Sequence, residues 1–530
     1  MKNIFKFIPP KNNTEFNIKK DKSIQLESLD KEKEITKKLD ENLKILKNLT
    51  HYKQNSDIEI REFESKINCN NYNTALLFYD GLVNSEIIDD FILKPLMSNK
   101  KCDESKNIKE LVVQNILVQN QISYAKTYSE IVGSILSGNC VLLIDDMDVA
   151  ISCDTKNLPQ RSISKSENEM STRGPNESFV EALRPNTGLI RKYVKDENLV
   201  FEDIEVGRKG KTICSIAYIS TIANESLLAE VKRRVESIDV DYLLDTGQLE
   251  QLIEDKTYIS SPLILTTERP DKVASHLFEG RIAILVSGSP NALIVPATLT
   301  DFMHTTEDIY NRYPYSLFVR FFRIPAMFFA ILLPGLYIAT VLFHHEMIPT
   351  ALLFSIAAAR EKVPFPLLLE LLIMELAFEI IREASIRTPA PIGPTLGIVG
   401  TLILGQAIVS ASVVSPILII VVALTGISSF AVGNFSLNYT FRILRFMYIF
   451  LGAIGGYLGI SVGLFIHLCT ISTATSFGVP YLSPFIPVSK RLFSSDLIDV
   501  PIWKQEFRPK FLKPKVSRRQ PKISRKWTSK

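Results

Sequence analysis

The sequence predicts an α+β/membrane architecture: two related cytoplasmic α/β modules followed by a polytopic α-helical transmembrane domain. Three observations lead to it. Residues 1 to about 320 carry charges throughout and no apolar run of membrane length, while residues 321 to about 488 are dominated by such runs. Two patterns recur in the polar part at nearly one offset. The chain then closes on a basic tail, with thirteen Lys/Arg against three Asp/Glu between Lys490 and Lys530.

Residues 1–66 are rich in Lys, Glu and Asn, with one possible helix near Glu41 to His51, and read as a mobile charged lead-in. The start MKNIFKFIPPKNN has too few apolar residues before its Pro-Pro for a signal-peptide core, so the N-terminal part is expected in the cytoplasm. From Thr74, TALLFYDGLVNSEIIDDFILKPL reads as strand, turn and helix. CSIAYISTIANESLLAEVKRRV from Cys214 repeats it, with Asn84 and Asn224 each placed to cap the helix. GNCVLLIDDMDVAI from Gly138 and EGRIAILVSGSPNALI from Glu279 both read as hairpins. Tyr79 to Tyr218 is 139 positions and Gly138 to Gly280 is 142, so the modules are placed at 67–157 and 196–300, with a linker over 158–195.

Several motifs carry no chemistry. GRKGKT from Gly207 imitates the end of a phosphate-binding loop but has Glu205 where that loop needs Gly, and reads as an exposed basic hairpin turn. His344-His345-Glu346 lacks a metal-binding spacing and reads as a polar loop beyond the first span. Gly288-Ser289-Pro290 lacks the context of a hydrolase nucleophile. The six cysteines form no CxxC pair and read as reduced thiols. No enzyme, cofactor or metal is expected.

The membrane domain is placed at 301–488. Phe321 to Phe343 is long enough to cross roughly 30 Å of hydrocarbon, and Arg312, Arg320 and Arg323 put its start on the cytoplasmic side. Leu396 to Val414, Ile417 to Val432 and Leu444 to Cys469 are further candidates, and Arg442 and Arg445 read as a cytoplasmic turn. Thr350 to Arg387 and Ile471 to Val488 are ambiguous. Letting both cross gives six spans and puts Arg382 and Arg387 inside, which is favoured over four spans with interfacial helices. The run from Leu396 is rich in small residues, including Gly400 and Ser410, with an amide at Gln406. Such a run suits close helix packing or, alternatively, a pore wall. The tail, 489–530, reads as a basic cytoplasmic segment held near anionic lipid.

One stretch breaks the apolar pattern: ELLIMELAFEIIREASIRTPAPIG from Glu370. Pro366 and Pro389 bound a helix over Leu367 to Arg387, on which Glu375, Glu379, Glu383 and Arg387 recur every four residues and so share one stripe. Arg382 joins the stripe; Glu370 lies away from it. Either the helix lies in the membrane interface, with Glu379 paired to Arg382 and Glu383 to Arg387, or the stripe faces a shared axis as the mouth of a cation pore.

Several ordered stretches resemble the A subunit of the GerA family of spore germinant receptors: STRGPNESFVEALRPNTGLIRKYVKD from Ser171, ERPDKVASHLFEGRIAILVSGSPNALIVPAT from Glu268, HHEMIPTALLFSIAAAREKVPFP from His344 and IGPTLGIVGTLILGQAIVSASVVSP from Ile392. The resemblance implies a multi-pass protein of the inner spore membrane that works with a permease-like B subunit and a lipoprotein C subunit. It also implies oligomerisation into a ligand-gated ion channel that starts germination. Departures fall at Ser287, at Asp146 where the first module's turn often has Gly, and at Gly433-Asn434. A SpoVAF-like sister branch shares much of the pattern, and a non-conducting scaffold is the alternative from another class.

Overall fold

The fold is taken from a computed structural model, which describes residues 32–67, 70–98, 108–119, 121–157, 169, 173–305, 307–387, 406–486 and 501–521. Two five-stranded antiparallel sheets form the N-terminal half. The first contains β1 (Ile58–Ile67), β2 (Asn70–Tyr79), β3 (Ile122–Ala125), β4 (Asn139–Ile144) and β5 (Ala150–Asp154), in the order β1-β2-β4-β5-β3. The second contains β6 (Leu199–Val206), β7 (Thr212–Ile219), β8 (Leu265–Thr267), β9 (Ile282–Val286) and β10 (Ala292–Val295), in the order β6-β7-β9-β10-β8. Strand for strand the two orders are the same, as expected of related modules.

The register refines the repeat. Ile58 pairs with Tyr79 in one sheet and Leu199 with Ile219 in the other. Tyr79 therefore corresponds to Ile219, not to Tyr218; the one-residue slip in the sequence alignment would have put every side chain of that strand on the wrong face. Asn84 and Asn224 cap equivalent helices as expected, each side-chain oxygen accepting a backbone N–H at 3.0 Å. GRKGKT does form the turn between β6 and β7.

Both module boundaries move. α1 (Leu39–Leu49) buries Leu39, Leu43, Leu46 and Leu49, a helical stripe that packs on the first sheet beside α2 (Tyr128–Leu136). With β1 this assigns much of the expected lead-in to the first module. Likewise α3 (Leu183–Tyr193) lies in the expected linker but packs with α6 (Pro270–Glu279) in the core of the second module. The opposite face of the second sheet is covered by α4 (Glu225–Glu236) and α5 (Thr246–Ile253).

Arg191 of α3 locks the modules together. Its guanidinium donates to both oxygens of Asp57, just before β1, and stacks 3.9 Å from the Tyr79 ring. Both side chains are fully buried. The Phe201 N–H donates to Asn55 and its carbonyl accepts the Ser56 N–H, so β6 is tied to the same loop.

The helical body contains α7 (Tyr313–Phe343), α8 (Thr350–Arg360), α9 (Leu367–Arg387), α10 (Pro416–Phe430) and α11 (Phe435–Ser472). Among the described residues only α7 and α11 are long and apolar enough to cross a membrane. The expected run Leu396 to Val414 lies mostly outside the described residues. The described part of Ile471 to Val488, expected to cross, instead contains a two-stranded ribbon, Thr475–Ser476 against Val479–Pro480, docked on the second module. Ser476 Oγ accepts the Ala297 N–H and donates to the Leu263 carbonyl. The run containing Leu444 to Cys469 is not one straight span either: Gly456 leaves the helical region at φ 57° and ψ −141°. Leu437 and Ile471 both join the second module's core, although an unbroken helix would hold them about 51 Å apart at 1.5 Å per residue. The two limbs of α11 therefore fold back on each other.

Asp146 adopts φ 65° in the β4–β5 turn, at the position that Gly288 fills in the second module with φ 93°. The left-handed region suits glycine and strains a residue with a Cβ. Asp146→Gly is expected to stabilise the protein by about 0.5–1 kcal/mol, read as a rise in the midpoint of thermal unfolding.

Candidate functional site

α9 runs over the span read from its two prolines, and the expected contact of Glu379 with Arg382 is present, but most of its charges reach partners on other helices. Leu369, Leu376 and Ile380 face outward, whereas Glu370 and Glu375 are completely buried. The polar face points into the body and the apolar face points out, the reverse of a water-soluble helix.

The partners come from other helices. Glu375 Oε2 accepts from Arg445 Nη1 at 2.9 Å, and both side chains are fully buried. One turn on, Glu379 accepts from Arg442. Because Glu375 and Glu379 are four apart while Arg445 and Arg442 are three apart in reverse, the pairs form a ladder between antiparallel helices. Arg382 lies 3.8 Å from Glu379, donates to Ser429 Oγ at 3.0 Å and sits between the Phe378 and Phe430 rings. Glu370, read as lying apart, accepts the Ser415 N–H at the start of α10 at 2.5 Å, with Arg360 3.7 Å away.

Arg445 also solves a problem set by a proline. Pro334 has no N–H, so the carbonyl of Ala330, four residues earlier, has no helical donor. Arg445 Nε donates to that carbonyl at 3.0 Å. One guanidinium thus ties α7, α9 and α11 together. The close approach is made possible by glycine: a Cβ on Gly335 would stand 2.7 Å from the Tyr448 carbonyl, and one on Gly452 2.6 Å from the Gly335 carbonyl.

Of the residues proposed from sequence for a pore, Glu375 and Glu379 are brought together with arginines of the same chain. Glu383 is exposed, as are Gln406 and Ser410, which share a short helical stretch where Ser410 donates to the Gln406 carbonyl. Gly400 and the Arg387 side chain lie outside the described residues. Arg442 and Arg445, read as a cytoplasmic turn, are instead the counter-ions of the ladder. With Arg382 compensated inside the body, the charge argument for six crossings no longer holds. A signal was present: two arginines three apart on an apolar run, matched to glutamates four apart on another.

The body is fastened to the second module at several points. Arg281 donates to both oxygens of Asp301, whose Oδ2 also accepts from Thr298. Asp308 accepts from Arg323 at 2.6 Å and from Arg320 at 3.2 Å at the start of α7. Burial alone would raise the Asp308 carboxyl, but the Arg323 bond and then the charges of Arg323 and Arg320 hold it below its ordinary range. His304, between these two acids, is brought down to about 4 by burial and then by the Arg320 charge. The C-terminal tail, expected at lipid, folds back over 501–521: Lys515 reaches Glu225 at 2.9 Å and Arg508 donates to the Phe278 carbonyl.

Tandem α/β modules seated on a helical body that turns its charges inward define a membrane-associated protein with a two-module head. Residues 44–511 match the model of the Bacillus/Clostridium GerA spore germination protein family, and the chain belongs to that family. It is similar to spore germination protein KA of Bacillus subtilis (strain 168), 39% identical over 89% of this chain and 86% of that one. The uncharacterized membrane protein YfkQ of the same organism is 38% identical over 93% and 95%. The crystal structure of the N-terminal domain of the A subunit of the Bacillus megaterium spore germinant receptor GerK3 matches with 33% identity and a TM-score of 0.40, covering 50% of this chain and 98% of that one.

Glu375→Gln would leave Arg445 buried without its counter-charge and is expected to cost about 3 kcal/mol, while the pair Glu375→Leu with Arg445→Met recovers most of it. Thermal unfolding in detergent micelles checks both; equal losses in single and double variants would show that the pair does not act as a unit. His304 makes a separate prediction. Its folded value lies below the ordinary 6.5, so the stability it governs is complete above about pH 6.5 and is lost as pH falls toward about 4. In His304→Gln the slope of stability with pH across that window should flatten.

Proposed function

We propose that this chain is the A subunit of a nutrient germinant receptor, acting in the inner spore membrane beside a permease-like B subunit and a lipoprotein C subunit. The observation that carries the reading is the inverted helical body, whose buried ion pairs and outward apolar side chains suit lipid, in a chain 39% identical to a spore germination protein. The modules and the tail lie in the cytoplasm. Copies of the chain assemble so that their helical bodies form or gate an ion channel that converts germinant binding into germination.

Within that assembly the ladder sets the position of α9, and the exposed Glu383, Gln406 and Ser410, with Gly400, face the ion path. Glu375 and Glu379 act through the placement of α9. The second reading is a spore membrane protein of the SpoVAF-like sister branch. Co-purification of B and C subunits with this chain separates the two.

Glu383→Gln should lower cation conductance and selectivity several-fold in reconstituted complexes without loss of folding. Unchanged conductance would remove Glu383 from the ion path, and a silent bilayer with the wild-type complex would favour the scaffold.

A further inference from the structure

A cavity of about 450 Å³ lies between the second module, the start of α7 and the C-terminal segment. We propose that it binds a phosphate group, supplied by an anionic lipid whose acyl chains lie against the outer face of α7. The volume falls in the range of small-ligand sites, roughly 300–1,000 Å³.

The charge of the wall favours an anion. Lys272, Arg281, Arg320 and Arg519 line it, against Glu279, Asp301 and Asp308, and Lys272 is paired with Glu169 at 2.6 Å. The carboxylates are engaged: Arg281 holds Asp301 and Glu279, and Arg323 and Arg320 hold Asp308. Arg519 is different. Its Nη1 donates to the neutral Gln505 oxygen at 3.3 Å, and its side chain is exposed on the tail segment. Burial, and then the Arg519 charge, lower the neighbouring Arg508.

Position selects the source of the phosphate. Tyr313 and Arg320, from the first turns of α7, line the cavity, and Phe318, Phe321 and Phe322 on the same helix face outward. The roof carries Trp503 and the exposed Ile502, side chains that suit the zone where headgroups meet hydrocarbon. A basic pocket at the cytoplasmic end of membrane helices is the setting in which anionic headgroups are recognised. The lipid source rests on the membrane reading above; the anion site itself does not.

The test uses the full-length protein in neutral detergent, with thermal unfolding followed against short-chain phosphatidylglycerol, phosphatidylcholine and inorganic phosphate. Phosphatidylglycerol should raise the unfolding midpoint and phosphatidylcholine should not. Arg519→Gln, on an exposed segment, should weaken that effect severalfold, and NMR of labelled histidine should show the His304 titration moving upward on binding. Stabilisation by inorganic phosphate alone would keep the anion site and assign it to soluble phosphate. No stabilisation by either anion, or an effect unchanged in Arg519→Gln, would overturn the proposal while leaving the receptor reading intact, since co-purification tests that independently.

Discussion

The helical body depends on Arg445. A guanidinium cannot be left bare in an apolar interior, and here it meets two groups that need it: the Glu375 carboxylate and the Ala330 carbonyl that Pro334 leaves without a donor. Much of the arrangement follows from satisfying those three groups together. α7 and α11 must approach closely, which Gly335 and Gly452 permit, and α9 must present Glu370 and Glu375 inward, which leaves Leu369, Leu376 and Ile380, with Glu383, on its outer face. A substitution at any of these positions therefore disturbs all three helices.

Local features of this fold were legible in the sequence. The bounds of α9 follow from Pro366 and Pro389, and the helix caps from Asn84 and Asn224. Each is set by chemistry within a few residues. What was not legible is set by groups far apart in the chain. Arg442 and Arg445 look like topological markers until Glu379 and Glu375, more than sixty positions away, are placed beside them. The reversal at Gly456 is hidden because both limbs of α11 are apolar, and hydropathy cannot distinguish one long helix from two that fold back. The ribbon at 475–480 is hidden for the same reason: Phe477 fills the second module's core.

The two modules are not equivalent in how they connect. In the first, the chain that follows β5 caps the turn after β2, the Asn157 N–H donating to the Leu82 carbonyl at 2.9 Å. The corresponding carbonyl in the second, Ile222, accepts from Lys515 of the C-terminal segment at 3.0 Å. The second module thus has the turn after β7 capped by the tail, a core shared with α11 and an ion pair at the head of α7. The first is tied to the second through Arg191 and Asp57. Among the described residues one continuous set of contacts runs from the first module to α9: through the Arg191 lock into the second sheet, from there into α7 and α11, and across Arg445 to Glu375. The second module therefore stands between the first module and the helices, and the buried ladder is where α9 meets that set of contacts.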